Sequence, residues 1–293
     1  MPERERLIGL DLGGTAIKAG VVDSGVVQKS GRVRLKAGGS AEEIIDQIFD
    51  LLDSLDAASA QAIGVGAPSV VNTELGIVYD TQNIPSWRDV DIPLGTLLSE
   101  KYRIPAFINN DANCFVLGEK YFGKAKDCSN VVGVTIGTGL GAGLIINNRL
   151  YSGANCGAGE FGMCPFRDRV IEYYASGQFF INVYGVTGEA LAERAARGDQ
   201  QAISIFDEFG RNVGEAVKAI LYAIDPELII FGGSVSRSFS LFEAGMRETL
   251  ETFAYPRSLQ KLRMEVSELP ESAILGAASL CLEYGETEVQ SKK

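Results

Sequence analysis

Leu7–Val22 reads LIGLDLGGTAIKAGVV: two apolar runs of β character joined at Gly13-Gly14-Thr15, with glycine where a hairpin turn calls for positive φ. Val131–Ile146, VVGVTIGTGLGAGLII, has the same form. Superposed without gaps at an offset of 124 residues, Gly9 falls on Gly133 and Gly13 on Gly137, and Leu7, Ile8, Leu10, Leu12, Val21 and Val22 all fall on aliphatic residues. The repeat predicts a duplicated domain.

Outside the two copies, strands alternate with helices. Ser40, with Glu43 three residues on, has the capping-box pattern, and Ile44, Ile45, Ile48, Leu51, Leu52 and Leu55 make the apolar stripe of the helix it opens. Gln61–Val71 reads as a buried strand running into a proline-containing loop. IPAFINN (104–110) reads as a short strand, with Asp111 opening a helix through about Tyr121. Beyond the second hairpin the pattern predicts helices near 169–183, 187–197 and 200–224, and a strand Leu228–Phe231 stopping at Gly232-Gly233-Ser234. A helix near 238–253, a strand near 262–267 and a helix from about Glu271 to Tyr284 follow, before a frayed tail, ETEVQSKK. Strands mixed with helices throughout indicate the α/β class, whose sites lie where strand ends meet helix starts.

Composition removes whole reaction classes. The 293 residues include no histidine, so Ser-His-Asp and Cys-His nucleophile pairs, HExxH zinc sites and a histidine general base are all excluded. Acid–base work falls to carboxylates, Lys, Tyr or Cys. With 27 Lys and Arg against 38 Asp and Glu, the net charge of −11 argues against nucleic acid as a partner. The cysteines at 114, 128, 156, 164 and 281 form no C-x-x-C pair and are expected as buried thiols in a reducing cytoplasm. The first residues, MPERERLIGL, are not a signal peptide, and no apolar stretch of about 18 residues could span a membrane.

The glycine-rich turns are not P-loops, since G-x-x-x-x-G-K-[ST] does not occur. Gly137-x-Gly139-x-x-Ala142 matches a loose dinucleotide fingerprint, but it runs into LIINNRLY, a β pattern turning at Asn147-Asn148, where the fingerprint requires a helix. Either these are plain turn glycines, or both are hairpin turns whose backbone N–H groups cradle phosphate oxygens. Their pairing favours the second.

Paired turns of this form resemble the two phosphate loops of the actin-like ATPase fold (ribonuclease H-like), in which duplicated domains close an active-site cleft. With them in place, the chain resembles the ROK family of sugar kinases and sugar-sensing repressors from about Leu7 to Leu282. The motifs run in order: DLGGTAIKAG (11–20), GAPSVV (66–71), NIPSW (83–87), INNDAN (108–113), TIGTGLGAG (135–143), GAGEFG (157–162), EYYASG (172–177) and IIFGGSVS (229–236). The resemblance implies an N-terminal lobe of 1–112 plus about 272–293, a C-terminal lobe of 113–271, and a homodimer or homotetramer.

It also implies roles. Asp111 matches the general base that takes the proton of the sugar's primary hydroxyl, a task open to a carboxylate in a chain without histidine. Asp11 matches the acidic residue near Mg²⁺ and the ATP phosphates. Gly13, Gly14, Thr15 and Lys18 would line the first phosphate loop, Gly137, Thr138 and Gly139 the second, and Gly233 and Ser234 would lie near the adenosine. Alternation equally allows Lys18 to face solvent. For the sugar the resemblance points to Gly66, Asn83, Asn110, Asp111, Glu160 and Glu172, whose amides and carboxylates offer fixed donors and acceptors. Trp87, the single tryptophan, reads as a packing anchor.

One motif departs from the family. The glutamate segment reads Glu160-Phe161-Gly162-Met163, with methionine where most family kinases carry a zinc-binding histidine, and CPFRDRVIEYYASG after it holds one cysteine, Cys164. No zinc site is expected, and the segment from Met163 to Glu172 must be held by packing of Phe166 and Ile171 or by Arg167 and Arg169 pairing with acids. The expected activity is ATP- and Mg²⁺-dependent phosphorylation of a hexose, glucose by default, or an N-acyl-hexosamine on its primary 6-hydroxyl. Fructose or a β-glucoside as acceptor, and polyphosphate as donor, are alternatives. So is a sugar sensor that transfers nothing, although the ten residues before Asp11 leave no room for the helix-turn-helix of family repressors.

Overall fold

The computed structural model describes residues 6–68, 70–79, 81 and 84–291. The chain divides into two compact units: Met1–Asp127 with Arg149–Ala158 and Leu269–Lys293, and Cys128–Asn148 with Gly159–Glu268. The helix Asp111–Tyr121, which a boundary at 112 would split, lies wholly in the first.

In the first unit, β1 (Arg6–Leu12), β2 (Ala16–Asp23), β3 (Val26–Arg34), β4 (Ala62–Ala67) and β5 (Ala106–Asn110) form one sheet in the order β3-β2-β1-β4-β5. β1 and β2 are the expected antiparallel hairpin, and β1, β4 and β5 run parallel. Ile8, Leu10 and Leu12 of β1 face one core, packed with Ile44, Ile48, Leu51 and Leu52 of the helix Ala41–Ser54. Ser40 caps that helix through the expected capping box with Glu43. Trp87 is fully buried in the same core.

The opposite face of β1 presents Leu7, Gly9 and Asp11. Gly9 pairs in register with Gly20 on β2 and Gly64 on β4, and this row without side chains lets the helix Ser272–Ser291 lie directly on the strands. A Cβ at Gly9 would stand 2.0 Å from the Ile274 carbonyl oxygen, and one at Gly64 1.8 Å from that of Ala277. Replacing Gly64 by alanine is therefore expected to destabilise the protein by about 1–3 kcal/mol or more, because the helix must move off the sheet. A urea midpoint unchanged from wild type would contradict this packing.

The second unit repeats the plan. β6 (Val131–Ile136) and β7 (Leu140–Ile146) form an antiparallel hairpin, while β8 (Leu228–Gly232) and β9 (Arg263–Val266) continue the sheet in parallel, in the order β7-β6-β8-β9. Asn147 and Asn148 turn in the left-handed region, as two-residue hairpins require. In the same unit, Gln200–Ile224 packs on Phe239–Leu250. Contact is close at Gly210, where a Cβ would come within 2.1 Å of the Phe242 carbonyl oxygen. Among the described residues no helix is long and apolar enough to cross a membrane.

Four expectations need correction. Gly13 and Gly14 do not adopt positive φ; Gly13 sits where a Cβ would approach the Ala16 oxygen to 3.1 Å, and its N–H closes the turn on that same oxygen. The segment 169–183 is not one helix but Ile171–Ala175 and Gly177–Tyr184, broken at Ser176, whose backbone is extended and whose side chain caps the second. The last helix runs on to Ser291 where a frayed tail was expected. Cys164 is exposed, unlike the other four cysteines.

Candidate active site

In the first unit, parallel register aligns polar residues at the C-terminal strand ends. Asp11 of β1 pairs with Gly66 of β4, Gly66 with Asn109 of β5, and Ala67 with Asn110. The next residue, Asp111, begins the helix Asp111–Tyr121 and is exposed. Asn110 is its N-cap, with Oδ1 accepting from the N–H groups of Ala112 (2.9 Å) and Asn113 (3.4 Å). Asp111 Oδ1 also accepts from Ala112 N, at 2.8 Å. Its carboxylate thus sits in the first turn of the helix, at the unsatisfied N–H groups and the positive end of the dipole. A Cβ at Gly66 would lie 3.2 Å from Cys114 Sγ and 3.6 Å from Asp111 Cα, so glycine keeps this strand end against the helix start. Burial pushes the Cys114 thiol well up, and the Asp111 and Asp11 carboxylates push it further.

Lys18 lies directly across the hairpin from Asp11, on the same face, and its Nζ donates to Asp11 Oδ2 at 3.1 Å. Asp11 is thus a sheltered carboxylate, its side chain 15% exposed, beside one cation. Among the described residues no group of three or more Cys, Asp or Glu could hold a metal alone. A single carboxylate does suit Mg²⁺, which takes one or two from protein and the rest from phosphate and water. Gly14 and Thr15 continue the turn after Gly13, and Thr15 accepts from Leu35 N at 3.0 Å through its carbonyl.

Beneath Asn110, the sequence reading missed Asn109. Its fully buried side chain accepts from Asn110 N (2.8 Å), Asn113 Nδ2 (2.9 Å) and Cys156 Sγ (3.1 Å) and donates to Ser152 Oγ (3.1 Å) and Tyr284 Oη (3.0 Å). Two consecutive amides at the end of an apolar strand were the available signal. The partners Ser152, Cys156 and Tyr284 come from remote sequence and gave none.

In the second unit, Gly137-Thr138-Gly139 joins β6 to β7, and Gly137 N closes the turn on the Gly139 oxygen at 2.9 Å. Gly233 follows β8 with φ +88°, where a Cβ would sit 2.4 Å from the Ile136 oxygen; a Cβ at Gly137 would meet Ser234 Oγ at 3.9 Å. The turn and the Gly233-Ser234 segment are therefore adjacent. Glu172 also comes to the turn, Oε2 accepting Leu140 N at 2.8 Å. Asn83 lies outside the described residues.

Glu160 stands close enough to Glu172 to feel its charge. Although part of it meets solvent, partial burial first, and then the Glu172 carboxylate, raise its pKa above the ordinary 4.5. Between that value and the raised one the folded state holds more protons than the unfolded state, so stability falls as pH rises through the window and stays lower above it. Glu160→Gln should therefore melt higher than wild type at neutral pH, with the gap closing as pH falls below 4.5. A gap independent of pH in thermal melts would contradict the assignment.

The segment after Met163 is held by stacking. Pro165–Phe166 and Arg169–Val170 form a two-stranded hairpin, and Phe166 meets Tyr174 edge-on at 5.6 Å. The Arg167 guanidinium lies 4.9 Å from both ring centres, and Tyr174 Oη donates to Asp168. Of the two alternatives the structure shows packing, with Ile171 buried and Arg167 stacked on the rings, while Arg169 Nε approaches Asp168 to 3.9 Å.

Known proteins resemble nearly the whole chain. The ROK family profile matches residues 7–284. Glucokinase from Thermotoga maritima is 32% identical over 312 residues, covering 95% of this chain and 98% of that protein. A xylose repressor from Caldicellulosiruptor bescii is 28% identical, over 92% of this chain and 76% of its own length. The crystal structure of a ROK family glucokinase from Streptomyces griseus in complex with glucose and AMPPNP superposes with a TM-score of 0.81 at 28% identity, covering 94% of this chain and 98% of that one. The fold is accordingly the actin-like ATPase fold anticipated from the paired hairpins.

Proposed function

Because the chain belongs to the ROK family, we propose that it is an ATP- and Mg²⁺-dependent sugar kinase, phosphorylating a hexose or N-acyl-hexosamine on its primary hydroxyl, with glucose the first acceptor to test. The observation that carries this reading is the register Asp11–Gly66–Asn109, continued by Asn110 and by Asp111 at a helix start.

In this reading Asp111 accepts the hydroxyl proton as the sugar oxygen bonds to the γ-phosphorus and the bond to the β,γ-bridging oxygen breaks, releasing ADP. Gly13, Gly14, Thr15 and Lys18 in the first unit, and Gly137, Thr138 and Gly139 in the second, take the phosphates; Gly233 and Ser234 lie by the adenosine. Gly66, Asn83, Asn110, Glu160 and Glu172 recognise the sugar. Asp11 would hold Mg²⁺, which when bound offsets charge on the β- and γ-phosphates. Most of the chemistry assigned to the protein is positioning and electrostatics.

The similarity to a xylose repressor favours one second reading, a sugar-binding protein that transfers nothing. ADP release over a panel of glucose, mannose, fructose, N-acetylglucosamine, N-acetylmannosamine and a β-glucoside separates the two. Turnover with at least one sugar supports the kinase; saturable sugar binding without ADP from any of them supports the sensor.

A further inference from the structure

Both carboxylate oxygens of Glu172 are engaged within its own unit. Oε2 accepts from Leu140 N at 2.8 Å and Oε1 from Gln178 Nε2 at 3.2 Å. The carboxylate packs on bare backbone at Gly139, where a Cβ would stand 2.4 Å from Oε2. Two further bonds reach the same turn from the helix break: Ser176 Oγ donates to the Thr138 carbonyl at 3.0 Å and Gly177 N to the Gly137 carbonyl at 2.8 Å. Gly177 is needed for that approach, since a Cβ there would lie 2.7 Å from the Gly137 oxygen. Residues 172–178 thus grip the turn at the Gly137 and Thr138 carbonyls and at the Leu140 N–H.

In a trans peptide the N–H points opposite to the C=O it is bonded to. Drawing the Gly137 and Thr138 carbonyls toward Ser176 and Gly177 therefore turns the Thr138 and Gly139 N–H groups the other way, the arrangement that an anion binds. Glu172 fixes the end of the turn with a charge-assisted bond, stronger than its neutral neighbours.

We propose that Glu172, backed by Gln178, is a positioning residue for nucleotide phosphates, presetting the anion-binding face of Gly137–Gly139. The proposal rests on the reading of that turn as a phosphate loop and gives Glu172 a task separate from sugar contact. Gln178 carried no signal in the sequence, and Ser176 fell inside the single helix expected over 169–183.

The test uses the full-length protein and two variants, Glu172→Ala and Gln178→Ala, without sugar. Hydrogen exchange at the Leu140 amide should rise about tenfold or more in Glu172→Ala and less in Gln178→Ala. The dissociation constant for ADP should rise about tenfold or more in Glu172→Ala and about threefold in Gln178→Ala, and glucose affinity should fall less than ADP affinity in Gln178→Ala. Should Glu172→Ala fail to fold, Gln178→Ala and the conservative Glu172→Gln carry the test, the latter restoring most of the ADP affinity. Unchanged exchange at Leu140, or ADP affinity preserved while sugar binding is lost, overturns the proposal. Wild-type protein that binds ADP with these sensitivities yet phosphorylates no sugar would leave the clamp standing and remove the kinase reading; active wild type with an insensitive Glu172→Ala does the reverse.

Discussion

Replacing Asp111 by alanine is expected to lower kcat by about 10²–10⁴-fold while sugar affinity stays within about threefold of wild type, because a general base acts on the transition state and contributes little to holding the ground state. The local geometry provides a control. Asp111 Oδ1 accepts from Ala112 N at 2.8 Å, a bond that an asparagine oxygen can also accept. Asp111→Asn therefore keeps the helix start and removes only the basicity, so it should lose nearly as much activity as alanine while melting closer to wild type. Retention of more than about a tenth of wild-type kcat by Asp111→Asn would take the proton from this residue.

The second large effect is expected at Asn109, which touches neither phosphate nor proton in the proposed reaction. Truncation to alanine removes a buried amide that joins Asn113 Nδ2, the Asn110 N–H, Cys156 Sγ and the partly buried Ser152 Oγ and Tyr284 Oη. Each buried polar group left unpaired costs about 1–3 kcal/mol, and hydroxyls that can rotate recover part of it, so a net loss of about 3–5 kcal/mol is expected. Activity should fall as well, since the Asn109–Asn110 N–H bond holds the strand end from which Asp111 departs. Asn109→Asp tests the cause. Its oxygens keep the Asn110 and Asn113 bonds, and Ser152 and Tyr284 can rotate their hydroxyls to donate, so its urea midpoint should fall less than that of the alanine variant. Equal losses in the two variants would mean that volume, and not the bonding, matters.

These contrasts mark how far the sequence could be read. The paired hairpins were legible because a β turn writes itself into a short window: apolar runs, glycine at the turn, and a second copy at a fixed offset. The Ser40–Glu43 capping box and the helix opening at Asp111 are local for the same reason. The row Gly20–Gly9–Gly64 was visible only as glycines; what demands them, the backbone of Ile274 and Ala277, lies more than 200 residues away for Gly9 and Gly64. The clamp on Gly137–Gly139 was hidden in the same way, as the break at Ser176 bonds to carbonyls 38 and 40 positions earlier, Ser176 Oγ to Thr138 and Gly177 N to Gly137. Lys18 was ambiguous by alternation and is settled by cross-strand register with Asp11. After Met163, half exposed, the chain forms a hairpin in which Phe166 and Arg167 stack with Tyr174, an arrangement that no local pattern in the sequence announces.

The central claim is most directly tested by following ATP and glucose with the wild-type protein by phosphorus NMR, then repeating the measurement with the other sugars of the panel. The account predicts ADP and a single new phosphomonoester on the primary hydroxyl, formed in equal amounts with at least one sugar, and almost no product from Asp111→Asn over the same time. Binding of sugar and nucleotide with no phosphomonoester from any member of the panel would contradict it.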